Sequence, residues 1–164
     1  MKEIELQELN NYLDIFDVEK KPAIAMASDG ERTNGLTIGW LSIGRLWSKP
    51  MATVYINKQR YSKEIFDKAK TYSINFLKDE YKSLNGYFGR VSGKDEDKIK
   101  KSGLTIAEDI APYFEENRLT ILCTILGRSD FDLEHVDPDV YDWYKKDGVH
   151  TLYYGKIEKI LINE

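Results

Sequence analysis

Asn34-Gly35-Leu36-Thr37-Ile38-Gly39-Trp40-Leu41-Ser42-Ile43-Gly44-Arg45-Leu46-Trp47-Ser48-Lys49-Pro50 is the most unusual stretch of this chain. It mixes glycines, hydroxyls, two tryptophans and two cations within seventeen residues. Glycines let another group approach the backbone closely. Thr37 and Ser42 offer hydroxyls, and exposed backbone N–H groups can face anionic or carbonyl oxygens. Trp40 and Trp47 present ring faces or edges. Two readings fit these residues: a strand and turn with core tryptophans, or a ligand-binding segment.

On the N-terminal side, Ala23 to Ala27 is a short apolar run ending at Ser28-Asp29-Gly30, a turn signal. Asn34-Gly35 reads as a turn pair and Leu36 to Trp40 as the return strand of a hairpin. Residues 41–50 fit no clean period and are expected to form an ordered loop. Further upstream, Leu6, Leu9, Leu13 and Phe16 recur at intervals of three and four, the spacing of a short packed helix.

Downstream, Met51 to Asn57 is a strong strand pattern. Ser62 is placed to N-cap a helix to about Lys70, with Tyr61 and Phe66 as a hydrophobic staple. Tyr72, Ile74 and Phe76 alternate with Ser73 and Asn75, as in a half-buried strand. Asp79 can cap a helix whose Tyr81, Leu84 and Phe88 share a face and which Gly89 ends; another helix fits Asp95 to Ser102, stopped by Gly103. Leu119 to Leu126 reads as a strand, residues 130–147 as a solvated acidic loop. Val149 to Ile162 reads as a long strand interrupted at Gly155 by a bulge or a close backbone approach. Strands and short helices do not alternate regularly. That disfavours a parallel sheet and favours a mainly β, antiparallel barrel with inserted helices.

Composition narrows the function classes. The 164 residues suit one domain, taken as 1–164. No apolar run reaches the roughly 20 residues of a membrane helix, and the charged start, Met1 to Glu5, lacks a signal-peptide core. The expected location is cytoplasmic. A net charge of −4 argues against nucleic acid. Cys123 is the only cysteine, so an internal disulfide and a cysteine metal site are not expected. HExxH, GxSxG, GxxxxGK[ST] and GxGxxG patterns are all missing. Three segments nevertheless suit an oxyanion: Thr37 to Gly44, Arg60-Tyr61-Ser62 at an expected helix start, and Ser92-Gly93-Lys94-Asp95 in a turn before another. His150, opening the last strand, is either a half-buried strand histidine or a contact to a bound ring.

Thr37 to Pro50, Ala52 to Tyr55, Arg60-Tyr61-Ser62, Ser92 to Lys98 and His150 to Ile157 together resemble, in order and spacing, the flavin reductase-like FMN-binding proteins, the flavoredoxin group included. The resemblance runs from about residue 20 to 162. It implies a Greek-key split β-barrel, usually a homodimer, with FMN near the subunit interface; FAD is the other flavin to consider. Thr37, Gly39, Trp40, Leu41, Ser42, Ile43 and Gly44 would line the isoalloxazine and ribityl chain. Trp40 and Trp47 would wall the ring. Arg60, Tyr61 and Ser62 would lie near the phosphate. Ser92, Gly93 and Lys94 would close over the flavin, and His150 is the remaining contact. No side chain is assigned as an acid, base or nucleophile, because the flavin would carry the chemistry. Three functions remain open: an NAD(P)H-dependent flavin oxidoreductase, an electron carrier serving a redox protein partner, and a non-redox barrel for a planar ligand.

Overall fold

The computed structural model describes residues 1–163. Ten strands run in chain order: β1 Lys2–Ile4, β2 Ala23–Ser28, β3 Thr33–Ile38, β4 Leu41–Leu46, β5 Lys49–Asn57, β6 Thr71–Leu77, β7 Ile106–Glu108, β8 Pro112–Phe114, β9 Asn117–Asp130 and β10 His150–Ile162. Four α-helices intervene: α1 Ser62–Lys68, α2 Ser83–Arg90, α3 Lys98–Ser102 and α4 Pro138–Asp147. Eight strands form one antiparallel sheet in the order β3-β2-β6-β9-β10-β5-β4, with β1 paired to the C-terminal end of β10. β7 and β8 form a separate hairpin.

Strands β3 and β4 stand at opposite ends of this path, yet only Gly39 and Trp40 connect them. Three Cα–Cα steps of about 3.8 Å keep Ile38 and Leu41 within about 11 Å. A flat sheet cannot meet that condition, so the sheet curls until its two ends face each other. β3 pairs only with β2, and β4 only with β5. The closure is therefore unpaired on one side, and the barrel is split there, as the sequence leads one to expect.

The barrel core is threaded by Tyr72 of β6. It is fully buried, and its hydroxyl donates to the carbonyl of Ala52 on β5 at 2.6 Å. Gly155 makes room for it. β10 shifts register between Tyr154 and Gly155, and a Cβ at Gly155 would strike the Tyr72 hydroxyl and approach Cβ of Cys123 at 2.8 Å.

Several local expectations are corrected. The first hairpin turns at Asp29 to Arg32, so Asn34 and Gly35 lie inside β3, opposite Ala27 and Met26. The Asp29 carboxylate accepts from the Arg32 backbone N–H at 2.7 Å and from its guanidinium, which pulls the Asp29 pKa down to about 2, and Gly30 takes φ +93°. Residues 41–50 are β4, the two-residue turn Trp47-Ser48 and the start of β5, not a loop. Both turn residues have positive φ without being glycine (51° and 58°), so no Asn-Gly or Asp-Gly signal marks the turn. Tyr61, not Ser62, stands at the N-cap of α1, and Ser62 Oγ instead accepts from Asn34 Nδ2 at 2.8 Å. The expected N-terminal helix is two 3-10 turns, Leu6–Asn11 and Ile15–Asp17, with Phe16 exposed. Asp79 opens a 3-10 turn (Asp79–Tyr81) separate from α2, and Gly89 falls inside α2. α3 starts at Lys98, capped by Asp97.

β6 is buried on both faces rather than one, because the β7–β8 hairpin covers its polar side. Asn75 there accepts from the Phe114 backbone and from Asn117 Nδ2, and Ser73 donates to the Pro112 carbonyl at 2.6 Å. The pairing of Asn75 and Ser73 is what makes their burial tolerable. The acidic segment 130–147 is not all loop. Asp137 accepts from the Asp139 backbone N–H at 2.9 Å, Pro138 takes the first turn, and α4 follows.

Gly155→Ala overpacks the barrel centre and is expected to cost about 1–3 kcal/mol, read as a lowered midpoint in denaturant unfolding. Burial pushes the Cys123 thiol pKa far up, so a thiol reagent should label Cys123 only at the rate of unfolding.

Candidate functional site

The split is where a ligand can enter. β3 is an edge strand, so alternate N–H and C=O groups on its outer side have no strand partner. A cleft of about 510 Å³ opens between this edge and β5. Thr37, Gly39 and Trp40 line it from the β3–β4 corner, Tyr55 and Asn57 from β5, and Gln59 and Arg60 from the segment leading into α1. β10 contributes His150, and α4 contributes Trp143 and Asp147.

Its walls are aromatic. The rings of Trp40 and His150 lie 4.5 Å apart, those of Trp40 and Trp143 5.1 Å, and Trp143 is nearly parallel to His150 at 6.0 Å. His150 Nδ1 is buried without a hydrogen-bond partner among the described residues. Burial, and then the charge of Arg60, hold the His150 pKa below the usual histidine range, so the ring is neutral at pH 7.

A second cleft of about 110 Å³ adjoins the first, sharing Leu36, Gln59 and Arg60 with it. Tyr61, Ser62, Ser92 and Gly93 line it together with Arg60, Arg90 and Lys98. Gly93 packs on Asn34, where a Cβ would come within 2.6 Å of Nδ2, and Asn34 in turn holds Ser62. Three segments distant in sequence thus meet here. None of the three cations has a carboxylate within 4 Å among the described residues. Two of them are held by the end of α2. Arg60 donates to the Gly89 carbonyl at 2.8 Å, and Lys98 to the Phe88 carbonyl at 3.1 Å. Lys98 is buried, and desolvation followed by repulsion from Arg60 brings its pKa down to about 8. One turn earlier in the same helix, Thr37 Oγ1 donates to the Asn85 carbonyl.

The residues expected from sequence divide accordingly. Thr37, Gly39, Trp40, Arg60 and His150 line the larger cleft; Arg60, Tyr61, Ser62, Ser92 and Gly93 line the smaller. Leu41 and Ser42 lie on the far side of Trp40, in a shallower depression, where Ser42 Oγ and Tyr55 OH are 2.7 Å apart. Ile43 packs partly against the core, while Gly44 lies farther along β4 and lines neither cleft. Trp47 stands at the β4–β5 turn against Tyr154, with ring centres 5.8 Å apart, and also lines neither cleft. Lys94 is exposed in the turn, its backbone N–H donating to Ser92 Oγ. Tyr55, Asn57, Gln59, Arg90, Lys98, Trp143 and Asp147 were not anticipated. Lys98 had a signal, since it closes the Ser92–Lys98 run already singled out.

The flavin reductase like domain model matches residues 18–164. The chain belongs to the flavin reductase-like family. A comparison with curated proteins finds no match. Among solved structures, this flavin reductase-like chain is similar to a flavoredoxin from Methanosarcina acetivorans, at 22% identity and TM-score 0.70, over 100% of this chain and 77% of that one. An FMN-binding protein from Thermus thermophilus with bound p-hydroxybenzaldehyde follows, at 21% identity and TM-score 0.68, over 87% and 71%. An NADH:FAD oxidoreductase from Streptomyces globisporus C-1027 matches at 14% identity and TM-score 0.66, over 87% and 74–75% in two structures. These likenesses establish the split-barrel fold. Among the described residues, no helix of the flavin reductase-like chain is long and apolar enough to cross a membrane.

His150 is expected to titrate below the usual histidine range in an NMR pH series, and Arg60→Ala should move its midpoint upward by removing the repelling charge. An unchanged midpoint would mean that burial alone sets it.

Proposed function

We propose that the protein binds FMN, with the ring system in the larger cleft and the phosphate in the smaller, and that it works as an NAD(P)H-dependent flavin oxidoreductase. The observation that carries this reading is the junction at Arg60, where an aromatic-walled cleft runs into a pocket with three cations that have no carboxylate within 4 Å among the described residues. Gathering Arg60, Arg90 and Lys98 without a carboxylate is unfavourable by itself, and an anion relieves it. The orphaned Nδ1 of His150 needs a polar partner, which a heteroaromatic ring can supply. A flat ring with an anionic tail satisfies both demands. The smaller cleft suits a terminal phosphate, whereas FAD would have to carry its adenosine past it. The homodimer and the cytoplasmic setting expected from the sequence belong to the same proposal.

Bound there, FMN would supply the redox chemistry, taking a hydride from a nicotinamide and passing electrons to an acceptor. The protein's own groups bind and orient. Arg60, Arg90 and Lys98 neutralise the phosphate, with Arg60 and Lys98 fixed in advance by α2. Trp40, Trp143 and Tyr55 exclude water from the ring. Unpaired groups on the β3 edge offer backbone contacts, and neutral His150 presents its Nδ1 without adding charge. No acid, base or nucleophile is required of these side chains, in keeping with the motifs missing from the sequence.

An anaerobic absorbance series tests this directly. Flavin bands should appear on adding FMN and bleach on adding NADH or NADPH. Bands that bleach only with a reductase protein would make the chain an electron carrier, and no bound flavin would overturn the reading. Arg60→Ala should weaken FMN by about 1.5–3 kcal/mol and riboflavin much less; equal losses would remove Arg60 from the phosphate. Lys98 gives a pH signature. Below about 8 it is protonated in free and bound protein alike, so Lys98 adds no pH dependence to FMN affinity there. Above that, binding must take up a proton and affinity falls, a dependence that Lys98→Met should abolish.

A further inference from the structure

The face around the mouth of the larger cleft combines two features that extend beyond the flavin site itself. Trp40, Val140, Tyr141 and Trp143 are large apolar side chains, each about 40% exposed (43%, 42%, 41% and 40%). Trp40, Val140 and Trp143, with Tyr144 beneath, line an open groove of about 440 Å³. This groove is continuous with the flavin cleft, because Trp40 and Trp143 line both. Only Tyr144 of α4 is buried, so the helix turns almost its whole surface outward.

Charge surrounds this patch asymmetrically. Residues 130–147 carry seven carboxylates against two lysines, a formal −5, while the whole chain carries −4. The rest of the molecule is therefore slightly positive, and within this acidic segment Asp147 lines the cleft and Asp139 the groove. Glu134, Asp137, Asp139 and Asp147 have no cationic partner within 4 Å among the described residues.

We propose that this face docks a basic redox protein, whose cationic surface meets the acidic rim while apolar side chains seat in the α4 groove. Charge complementarity selects the occupant. A second copy of this chain placed on the face by a two-fold contact would bring the uncompensated Glu134, Asp137, Asp139 and Asp147 of both copies toward one another. The redox role of the partner rests on the flavin reading, because it is the shared Trp40 and Trp143 that bring the partner next to the flavin cleft. Oxidation of one reduced flavin then takes two one-electron acceptors in succession, with the proton released to water.

A basic c-type cytochrome is the probe, titrated by calorimetry into the full chain without added FMN. Its Kd should weaken at least about tenfold between roughly 20 and 300 mM salt. Glu134→Gln, Asp137→Asn and Asp139→Asn together should weaken it by a similar factor at low salt; Asn at 137 keeps the helix cap. Val140→Ser alone should weaken it severalfold at both salt levels. Glu31→Gln, Glu108→Gln and Glu115→Gln remove the same charge elsewhere and should change Kd by less than about twofold. Equal loss from the two triple variants would make the interaction one of net charge and overturn the proposal. So would indifference to Val140→Ser, or a rim variant that alters the sedimentation of the protein alone, which would place a second copy on the face. With FMN added, the rim variant should slow cytochrome reduction by the reduced protein while FMN affinity, read by fluorescence quenching, stays unchanged. Docking without FMN binding would leave the surface standing and remove the flavin reading.

Discussion

Two residues between the ends of an eight-stranded sheet are the constraint on which this structure depends. Gly39 and Trp40 are too short a link for any arrangement except one in which β3 and β4 face each other. Curling the sheet that far brings the edges together without pairing them, and the remaining gap is the cleft. The same link therefore makes both the barrel and its opening. It also explains why Trp40 is partly exposed at a corner instead of packed in the core. The interior must accept the curvature, and it does so where β10 shifts register at Gly155 and Tyr72 crosses to β5.

The positions of the cations follow from the fold as well. Arg60 reaches the smaller cleft because β5 ends there and α1 begins; Lys98 reaches it because Asp97 caps α3 next to the end of α2. Gly93 allows the intervening turn to lie on Asn34. Each contact is local and modest. Together they create a concentration of positive charge in a chain whose net charge is negative, and the opposite charge lies at the rim beside α4.

Much of this was legible in the sequence, for identifiable reasons. β2, β5, β9 and β10 carry long apolar or alternating runs, and those patterns follow from burial. β4 was not legible, because it is an edge strand with little buried side chain and a turn made by Trp47 and Ser48 at positive φ. α4 was hidden by its acidity. A helix anchored by a single buried residue, Tyr144, has almost no apolar period to detect. Its Asp-Pro start was the available signal. The site followed the same division. Arg60, Ser62 and the Ser92–Lys98 run announced themselves by turn and cation chemistry, while Trp143 and Asp147 reached the cleft on the one helix that composition concealed. Trp47, conspicuous in sequence, lies against Tyr154 at the other end of β4.

The C-terminal end of α2 has a consequence for ligand range. Its last carbonyls, which a helix cannot satisfy internally, are taken by Lys98 and Arg60. The two cations are thus registered to one eight-residue helix rather than to each other. Adding or deleting a residue in α2 would rotate and translate both acceptors together, moving the pair of charges relative to the rest of the pocket in one step. Divergence in the size of the bound anion within such barrels can then proceed through the length of a single short helix, with the sheet left untouched.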